Sequence, residues 1–108
     1  MSDPHPMIRI EGRLGALIQY CPDCRRISLR YGNILMPLSL ERFAEFTGFL
    51  TDACERHFSR QDEGELRLRF SDLSLCFAPD EAQALLDLTR QAETEVHRHL
   101  LEETYLRK

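Results

Sequence analysis

Hydrophobic and polar residues alternate along four short segments of the chain, which form two pairs. Apolar side chains occupy every second position in residues 27–31, 34–38, 66–70 and 73–77. A period of two indicates a strand with one buried face. Two residues that suit a tight turn separate the members of each pair, Gly32-Asn33 in the first and Ser71-Asp72 in the second. The pattern therefore predicts two β-hairpins.

After each hairpin the period lengthens to that of an amphipathic helix. The first helix is predicted over residues 39–58 and starts at Ser39, a residue type that caps helix N-termini well. The second is predicted over residues 79–105 and starts at Pro79, followed by two acidic residues. Proline at the first helical position and acids in the first turn both favour a helix start.

The strand–turn–strand–helix unit thus occurs twice, over residues 27–58 and 66–105. Two further strands are predicted upstream, over residues 7–10 and 14–20. We predict a single α+β domain that spans residues 1–108. Its antiparallel sheet is built from the duplicated units (ββα-ββα) plus the N-terminal strands, with both helices packed on one face.

Composition narrows the class of protein without naming a function. The chain has 108 residues, 43% of them hydrophobic, and a formal net charge of −4. These values are ordinary for a soluble globular domain. No apolar run reaches the roughly 18 residues that a membrane helix needs. The first residues lack the basic-then-apolar layout of a signal peptide, so we expect a cytoplasmic protein with reduced cysteines.

The cysteines are the most chemical feature of the sequence. Cys21 and Cys24 have the spacing of a zinc knuckle, and Cys54 with His57 would complete a Cys₃His ligand set. However, Cys54 lies about 15 residues into the first helix, roughly 22 Å along the helix axis from Ser39. Within one chain, the two pairs of ligands are therefore expected at opposite ends of the layer. Three interpretations stay open for Cys21 and Cys24: uncoordinated thiols, a redox dithiol, or a structural metal site. Such a site would be completed by Cys54 and His57, by Cys76, or by another chain.

A set of arginines is predicted on the sheet face away from the helices: Arg26, Arg30, Arg67 and Arg69. If the hairpins join in one sheet, these side chains form a cationic surface that can bind carboxylate or phosphate. The alternative is that they are solvated and paired with glutamates. Sheets that bind RNA add exposed aromatic side chains, and none is predicted here. An acidic protein or another anionic ligand is therefore favoured over nucleic acid.

The second helix is long for the sheet that it covers. About 26 helical residues span roughly 39 Å, whereas a six-residue strand spans about 20 Å. The second half of the helix is therefore expected to extend past the sheet and to pack on a second copy of the chain. The residues predicted at this dimer interface are Val96, His99, Leu100 and Tyr105. The alternative is that this half covers the N-terminal strands in residues 7–20.

The segment CPDCRRISLRYGNILMPLSLERFAEF, residues 21–46, resembles a small bacterial family of proteins of unknown function. That family combines a CxxC motif, a strand, an aromatic-Gly-Asn turn, a second strand and a helix. The resemblance covers about a quarter of the chain. It implies a domain of unknown function and no particular activity.

The sequence contains no recognisable nucleophile–base pairing, paired catalytic carboxylates or glycine-rich phosphate loop. We therefore predict a non-enzymatic, homodimeric interaction or regulatory domain. The alternative is a zinc-stabilised module that binds an anionic partner, an acidic protein or nucleic acid, through the arginine-rich sheet face.

Overall fold

The first half of the chain forms an antiparallel meander of four strands. A computed structural model describes residues 7–22, 24–59 and 64–106, with side chains through residue 102. The strands are β1 (Ile8–Glu11), β2 (Leu17–Cys21), β3 (Arg26–Tyr31) and β4 (Ile34–Ser39). They pair in the order β1-β2-β3-β4, so each strand lies beside its neighbour in the sequence.

The second half repeats the hairpin and places a helix after each one. Its elements are α1 (Leu40–Ser59), β5 (Leu66–Phe70), β6 (Leu73–Phe77) and α2 (Pro79–Leu106). The α+β class and the duplicated ββα order are both confirmed. The expected single sheet is not found, because β5 and β6 form a two-stranded sheet of their own.

A groove separates the two sheets at the free edge of β4. It has a volume of about 300 Å³ and is lined by residues 35–38 on one side and 70–73 on the other, with Arg42 between them. Pro37 lies in β4 and has no backbone N–H to give to a neighbouring strand, which suits an edge position. The guanidinium group of Arg42 lies 4.5 Å from the centre of the Phe70 ring, so a cation–π contact joins α1 to β5 beside the groove.

One contiguous core holds the two sheets and the two helices together. The largest fully buried side chains come from β2, β3, α1 and α2: Ile18, Tyr20, Ile27, Leu29, Phe46, Leu50, Leu85 and Leu88. Each buried side chain of this size contributes roughly 1.5–3 kcal/mol through removal of apolar surface from water. Both helices pack on the same face of the four-stranded sheet, α1 against β3 and β4, and α2 against β1 and β2. The prediction that two helices lie on one face is therefore correct for this sheet.

Both helices start where predicted, and each has a side chain that caps its first turn. The Ser39 hydroxyl accepts a hydrogen bond from the backbone N–H of Arg42 at 3.1 Å, as an N-cap does. At α2, the Glu81 carboxylate accepts a bond from the backbone N–H of Ala78 at 2.9 Å. Ala78 is the N-cap and Glu81 the third helical residue, so this bond is the glutamate half of a capping box.

The connection between β1 and β2 departs from the prediction. Residues 14–20 were expected to form one strand, yet β2 begins only at Leu17. A 3₁₀ turn covers Arg13–Gly15, and both Leu14 (φ 60°) and Gly15 (φ 78°) have left-handed backbones. The chain therefore turns sharply here, and the Leu14 side chain is 57% exposed.

The turns of the two hairpins are equivalent in conformation although their residues differ. Gly32 has φ 57° and Ser71 also has φ 57°. Glycine adopts this left-handed backbone without steric cost, whereas for serine the same backbone is strained. The repeat therefore keeps the turn geometry with a less suitable residue in its second copy.

We expect reciprocal substitutions at these two positions to change stability in opposite directions. Ser71→Gly should stabilise the chain by about 0.5–1 kcal/mol, because it removes the left-handed strain. Gly32→Ser should destabilise it by about 1 kcal/mol. A Cβ atom at position 32 meets nothing within 4 Å, so crowding adds nothing to that cost. Urea unfolding measures both, and shifts of the same sign would contradict the turn assignment.

Candidate functional site

The strand register arranges the side chains on the helix-free face of the four-stranded sheet, here called the outer face, in three rows. One row contains Glu11, Leu17, Arg30 and Leu35. The next contains Arg9, Gln19, Ser28 and Pro37. The third contains Cys21, Arg26 and Ser39. These residues are exposed or half-buried, while their strand neighbours such as Ile18 and Leu29 are buried.

The outer face is cationic although the whole chain is acidic. Among the described residues it contains three arginines and one glutamate, a net of two positive charges, against −4 for the full sequence. Arg9 pairs with Glu11, with Nε and Oε1 3.1 Å apart. Within the described part of the chain, neither Arg26 nor Arg30 forms an ion pair with a carboxylate. Both side chains are exposed.

A depression in the outer face gathers several hydrogen-bond donors. Its volume is about 270 Å³, and its polar lining comes from Arg9, Gln19, Ser28 and Arg30. Each guanidinium offers five N–H groups in a planar fork, and the amide and hydroxyl groups add further donors. This combination suits a carboxylate or a phosphate, which accept paired hydrogen bonds from arginine.

The structure divides the predicted arginine surface into two parts. Arg26 and Arg30 lie on the outer face, whereas Arg67 and Arg69 lie on the separate β5–β6 sheet, opposite Cys76 and Ser74. All four arginines are exposed, as predicted. The hairpins do not join in one sheet, so the four side chains do not share one sheet face.

Arg9 and Gln19 were not among the predicted site residues. Alternation along β1 and β2 would have placed both side chains outward, because Ile10 and Ile18 beside them are buried. The alternation of apolar and polar residues does not show which strands pair, here β1 with β2 and β2 with β3. That pairing brings Arg9 and Gln19 into the depression that also holds Arg30.

The aromatic side chains of the hairpins lie inward, away from the outer face. Phe70 and Phe77 are buried. Tyr31 is half-buried, and its ring meets that of Phe77 at a centroid distance of 5.2 Å. Among the described residues of the outer face there is no aromatic ring, so it lacks the stacking platform of a single-stranded RNA binder.

The Tyr31 phenol donates a hydrogen bond to the Glu81 carboxylate and so links the first hairpin to the start of α2. Burial, together with this bond and the nearby negative charge of Glu81, raises the pKa of Tyr31 above its usual range. The same bond, with the one from the Ala78 N–H, lowers the pKa of Glu81. The pair is therefore most stable with the tyrosine protonated and the glutamate ionised.

The pH dependence of stability should report this pair. Because the pKa of Glu81 is lower in the folded chain than the unfolded value of about 4.3, its contribution is full above that pH. It is lost as pH falls through the folded pKa. Tyr31 affects stability at alkaline pH. Because its pKa is higher in the folded chain than the unfolded value of about 10, its contribution to stability is full below that pH and is lost as pH rises further. Tyr31→Phe keeps the ring contact with Phe77 but removes the phenol.

Urea unfolding at a series of pH values measures this effect. The wild-type chain should lose more stability than Tyr31→Phe on acidification from about pH 5 to pH 3. Equal slopes for the two chains would contradict a role for the Tyr31–Glu81 bond.

The second candidate feature lies between β2 and β3, at Cys21, Pro22, Cys24 and Arg25, here called the cysteine turn. The Sγ atoms of Cys21 and Cys24 are 2.9 Å apart, and the backbone N–H of Cys24 points at Cys21 Sγ from 3.4 Å. Cys24 is exposed and Cys21 is half-buried. Asp23, the acidic residue within the motif, lies outside the described residues.

The four predicted metal ligands are not brought together. Cys54 is 1% exposed in the core, and burial raises the pKa of its thiol, which favours the neutral form over the thiolate that binds metal. His57 is half-buried in the last turn of α1, and its Nε2 atom has no hydrogen-bond partner among the described residues. Among described residues, no group of three or more His, Cys, Asp and Glu side chains could hold an ion.

The residues of the predicted dimer interface pack largely within the chain itself. Val96 is 7% exposed, Leu100 packs against the core, and His99 meets the buried ring of Tyr20 at a centroid distance of 6.0 Å. The second half of α2 thus reaches the N-terminal strands through His99, as the alternative interpretation stated. The Tyr105 side chain lies outside those described.

The homodimer stays a prediction. It was inferred from an overhang of α2 past the sheet, and up to Leu100 the helix packs on its own chain instead. Leu101, the next residue, is 43% exposed. Sedimentation of the chain over a range of concentrations tests the oligomeric state directly.

Within the described ranges, neither helix is long and apolar enough to cross a membrane. No protein-family model matches the chain, and comparisons with curated proteins and with solved structures find no match. The resemblance of residues 21–46 to a small family therefore stays a prediction.

Proposed function

We propose that the chain is a non-enzymatic interaction domain that binds an acidic segment of a partner protein through its outer face. The observation that supports this most directly is the depression lined by Arg9, Gln19, Ser28 and Arg30. Two arginines, a glutamine and a serine line its volume of about 270 Å³ together with Leu17 and Leu35, on a face with net positive charge. Arg26 extends the positive charge toward the cysteine turn.

A carboxylate-bearing partner fits this chemistry better than nucleic acid does. Arginine binds carboxylates with two parallel hydrogen bonds, and these bonds are stronger than those between neutral groups. Binding of single-stranded nucleic acid draws much of its energy from bases that stack on aromatic rings. The aromatic side chains of the hairpins are instead used in the core, as the contacts of Tyr31 and Phe70 illustrate.

The proposal is tested with a fluorescent oligoglutamate peptide as the probe. The double variant Arg9→Gln/Arg30→Gln should weaken binding by roughly 5-fold, since two exposed arginine–carboxylate pairs at about 0.5 kcal/mol each together contribute about 1 kcal/mol. Added salt should weaken binding to the wild-type chain, because it screens exposed charges.

The matched control is Arg67→Gln/Arg69→Gln, which removes the same charge from the β5–β6 sheet. It should leave oligoglutamate binding within about twofold of wild type. An equal loss in both variants would mean that net charge, and not the outer face, determines binding. Tighter binding of oligouridine than of oligoglutamate, with the same loss in Arg9→Gln/Arg30→Gln, would assign the face to nucleic acid instead.

A further inference from the structure

The backbone holds the two sulfur atoms of the cysteine turn close together. Cys21 pairs with Arg26 across the β2–β3 ladder, and the Arg25 N–H donates to the Cys21 carbonyl at 2.8 Å. Arg25 has a left-handed backbone with φ 54°, which closes the turn, and Pro22 is buried beneath it. These backbone contacts bring Cys21 and Cys24 together, and their Sγ atoms lie 2.9 Å apart.

This arrangement supplies all the atoms of a disulfide but only half of a metal site. A structural zinc ion takes four ligands. Cys21 and Cys24 supply two, and the described part of the chain contains no group of three candidate ligands. A disulfide needs only the two sulfurs, brought from 2.9 Å to a bond of about 2.05 Å.

We propose that Cys21 and Cys24 form a reversible disulfide site, oxidised by exchange with a small-molecule disulfide of the glutathione type. The exposed Cys24 thiolate attacks one sulfur of the reagent. The reagent S–S bond breaks, one thiolate leaves and takes up a proton, and a mixed disulfide remains on Cys24. Cys21 then attacks Cys24 Sγ as a thiolate, and the second reagent thiolate leaves and is protonated in the same way.

The electrons and protons balance over the two steps. The two cysteine thiols are oxidised to one disulfide, and the reagent disulfide is reduced to two thiols that carry the two cysteine protons. The order of attack follows from access, since Cys24 is exposed and Cys21 is half-buried. The backbone N–H of Cys24 points at Cys21 Sγ, the atom that carries the negative charge in the second step.

The chain contains its own reference thiol for this chemistry. Cys76 is exposed on β6, and its strand partner Arg67 gives it a cationic neighbour, as Arg25 does for Cys24. Cys54 is buried and serves as an unreactive thiol. Cys76 should accept glutathione from the reagent and keep it, because a second thiol in reach is what resolves a mixed disulfide.

The experiment treats the full chain with oxidised glutathione, quenches with acid and maps each cysteine by mass spectrometry without reduction. In the wild-type chain Cys21 and Cys24 should be joined, with the loss of two hydrogen atoms, while Cys76 carries glutathione. The mixed disulfide on Cys24 should last at most about one tenth as long as that on Cys76, because attack by Cys21 is intramolecular. In Cys21→Ser, glutathione should accumulate on Cys24 as it does on Cys76.

Two results would overturn the proposal. One is equal and lasting glutathionylation of Cys24 and Cys76 in the wild-type chain. The other is stoichiometric zinc that blocks oxidation of the wild-type chain and is lost in Cys21→Ser, which would assign the turn to a metal site shared between chains. Circular dichroism of Cys21→Ser confirms that the variant is folded, so that the comparison concerns chemistry alone.

Discussion

Replacing Phe46 with alanine is expected to lower the free energy of unfolding by about 3–5 kcal/mol. The Phe46 side chain is fully buried, and its ring meets that of Phe70 edge-on with centroids 5.2 Å apart. It therefore joins α1 to the second hairpin, and the substitution leaves a large cavity at that contact. Domains of this size are stable by about 5–15 kcal/mol, so the loss is a large part of the total. Urea unfolding followed by circular dichroism measures it.

Phe49 provides the matched control on the same helix. Its ring also meets Phe70, at 6.1 Å, yet the side chain is 48% exposed. Phe49→Ala should cost less than about 1 kcal/mol, because little surface is removed from the core. Similar losses in the two variants would contradict the burial that distinguishes them.

The second large effect is expected at Gly12, where the chain leaves β1 and lies against α2. A Cβ atom there would sit 3.1 Å, 3.2 Å and 3.3 Å from three side-chain atoms of Leu88, which is itself buried. The Gly12 backbone has φ −109°, a conformation that any residue adopts, so only crowding opposes a larger side chain. Gly12→Val should therefore destabilise the chain by about 1–3 kcal/mol.

Gly48→Ala is the control for this prediction, and its sign should be opposite. Gly48 lies on the exposed side of α1, and a Cβ atom there meets nothing within 4 Å. Alanine should stabilise the helix interior by about 0.5–1 kcal/mol. A neutral result for Gly12→Val, with Gly48→Ala stabilising, would contradict the close packing of Leu88 on the β1–β2 connection.

The local sequence pattern was enough to predict most helices and strands, because the spacing of apolar residues and the capping residues that define them lie within a few positions of each other. The strands predicted at residues 66–70 and 73–77 have the same bounds in the structure, and both helix starts were placed correctly from Ser39 and Pro79. Alternation failed at Leu14, where an apolar residue happens to continue the period while Gly15 next to it turns the chain. Apolar residues at every second position therefore do not distinguish a strand from a short turn in which apolar residues have the same spacing.

Contacts between segments that are distant in the chain could not be predicted from the sequence pattern. A hairpin has the same pattern of buried and exposed positions whether or not its edge pairs with another strand, so the separation of β5 and β6 from β4 was not predicted. The same limitation explains why Arg67 and Arg69 were grouped with Arg30, and why Arg9 was missed. The apolar stripe of α2 likewise indicates a buried face without saying what buries it.

The last helix has a consequence for synthesis of the chain on the ribosome. The inner faces of β1 and β2 are covered by α2, through contacts such as Leu88 with Gly12 and His99 with Tyr20. About 80 residues separate Tyr20 from the end of that cover, and translation adds about 5–20 residues per second. The apolar side of the N-terminal strands therefore stays open to solvent and to chaperones for on the order of 4–16 seconds in each round of synthesis.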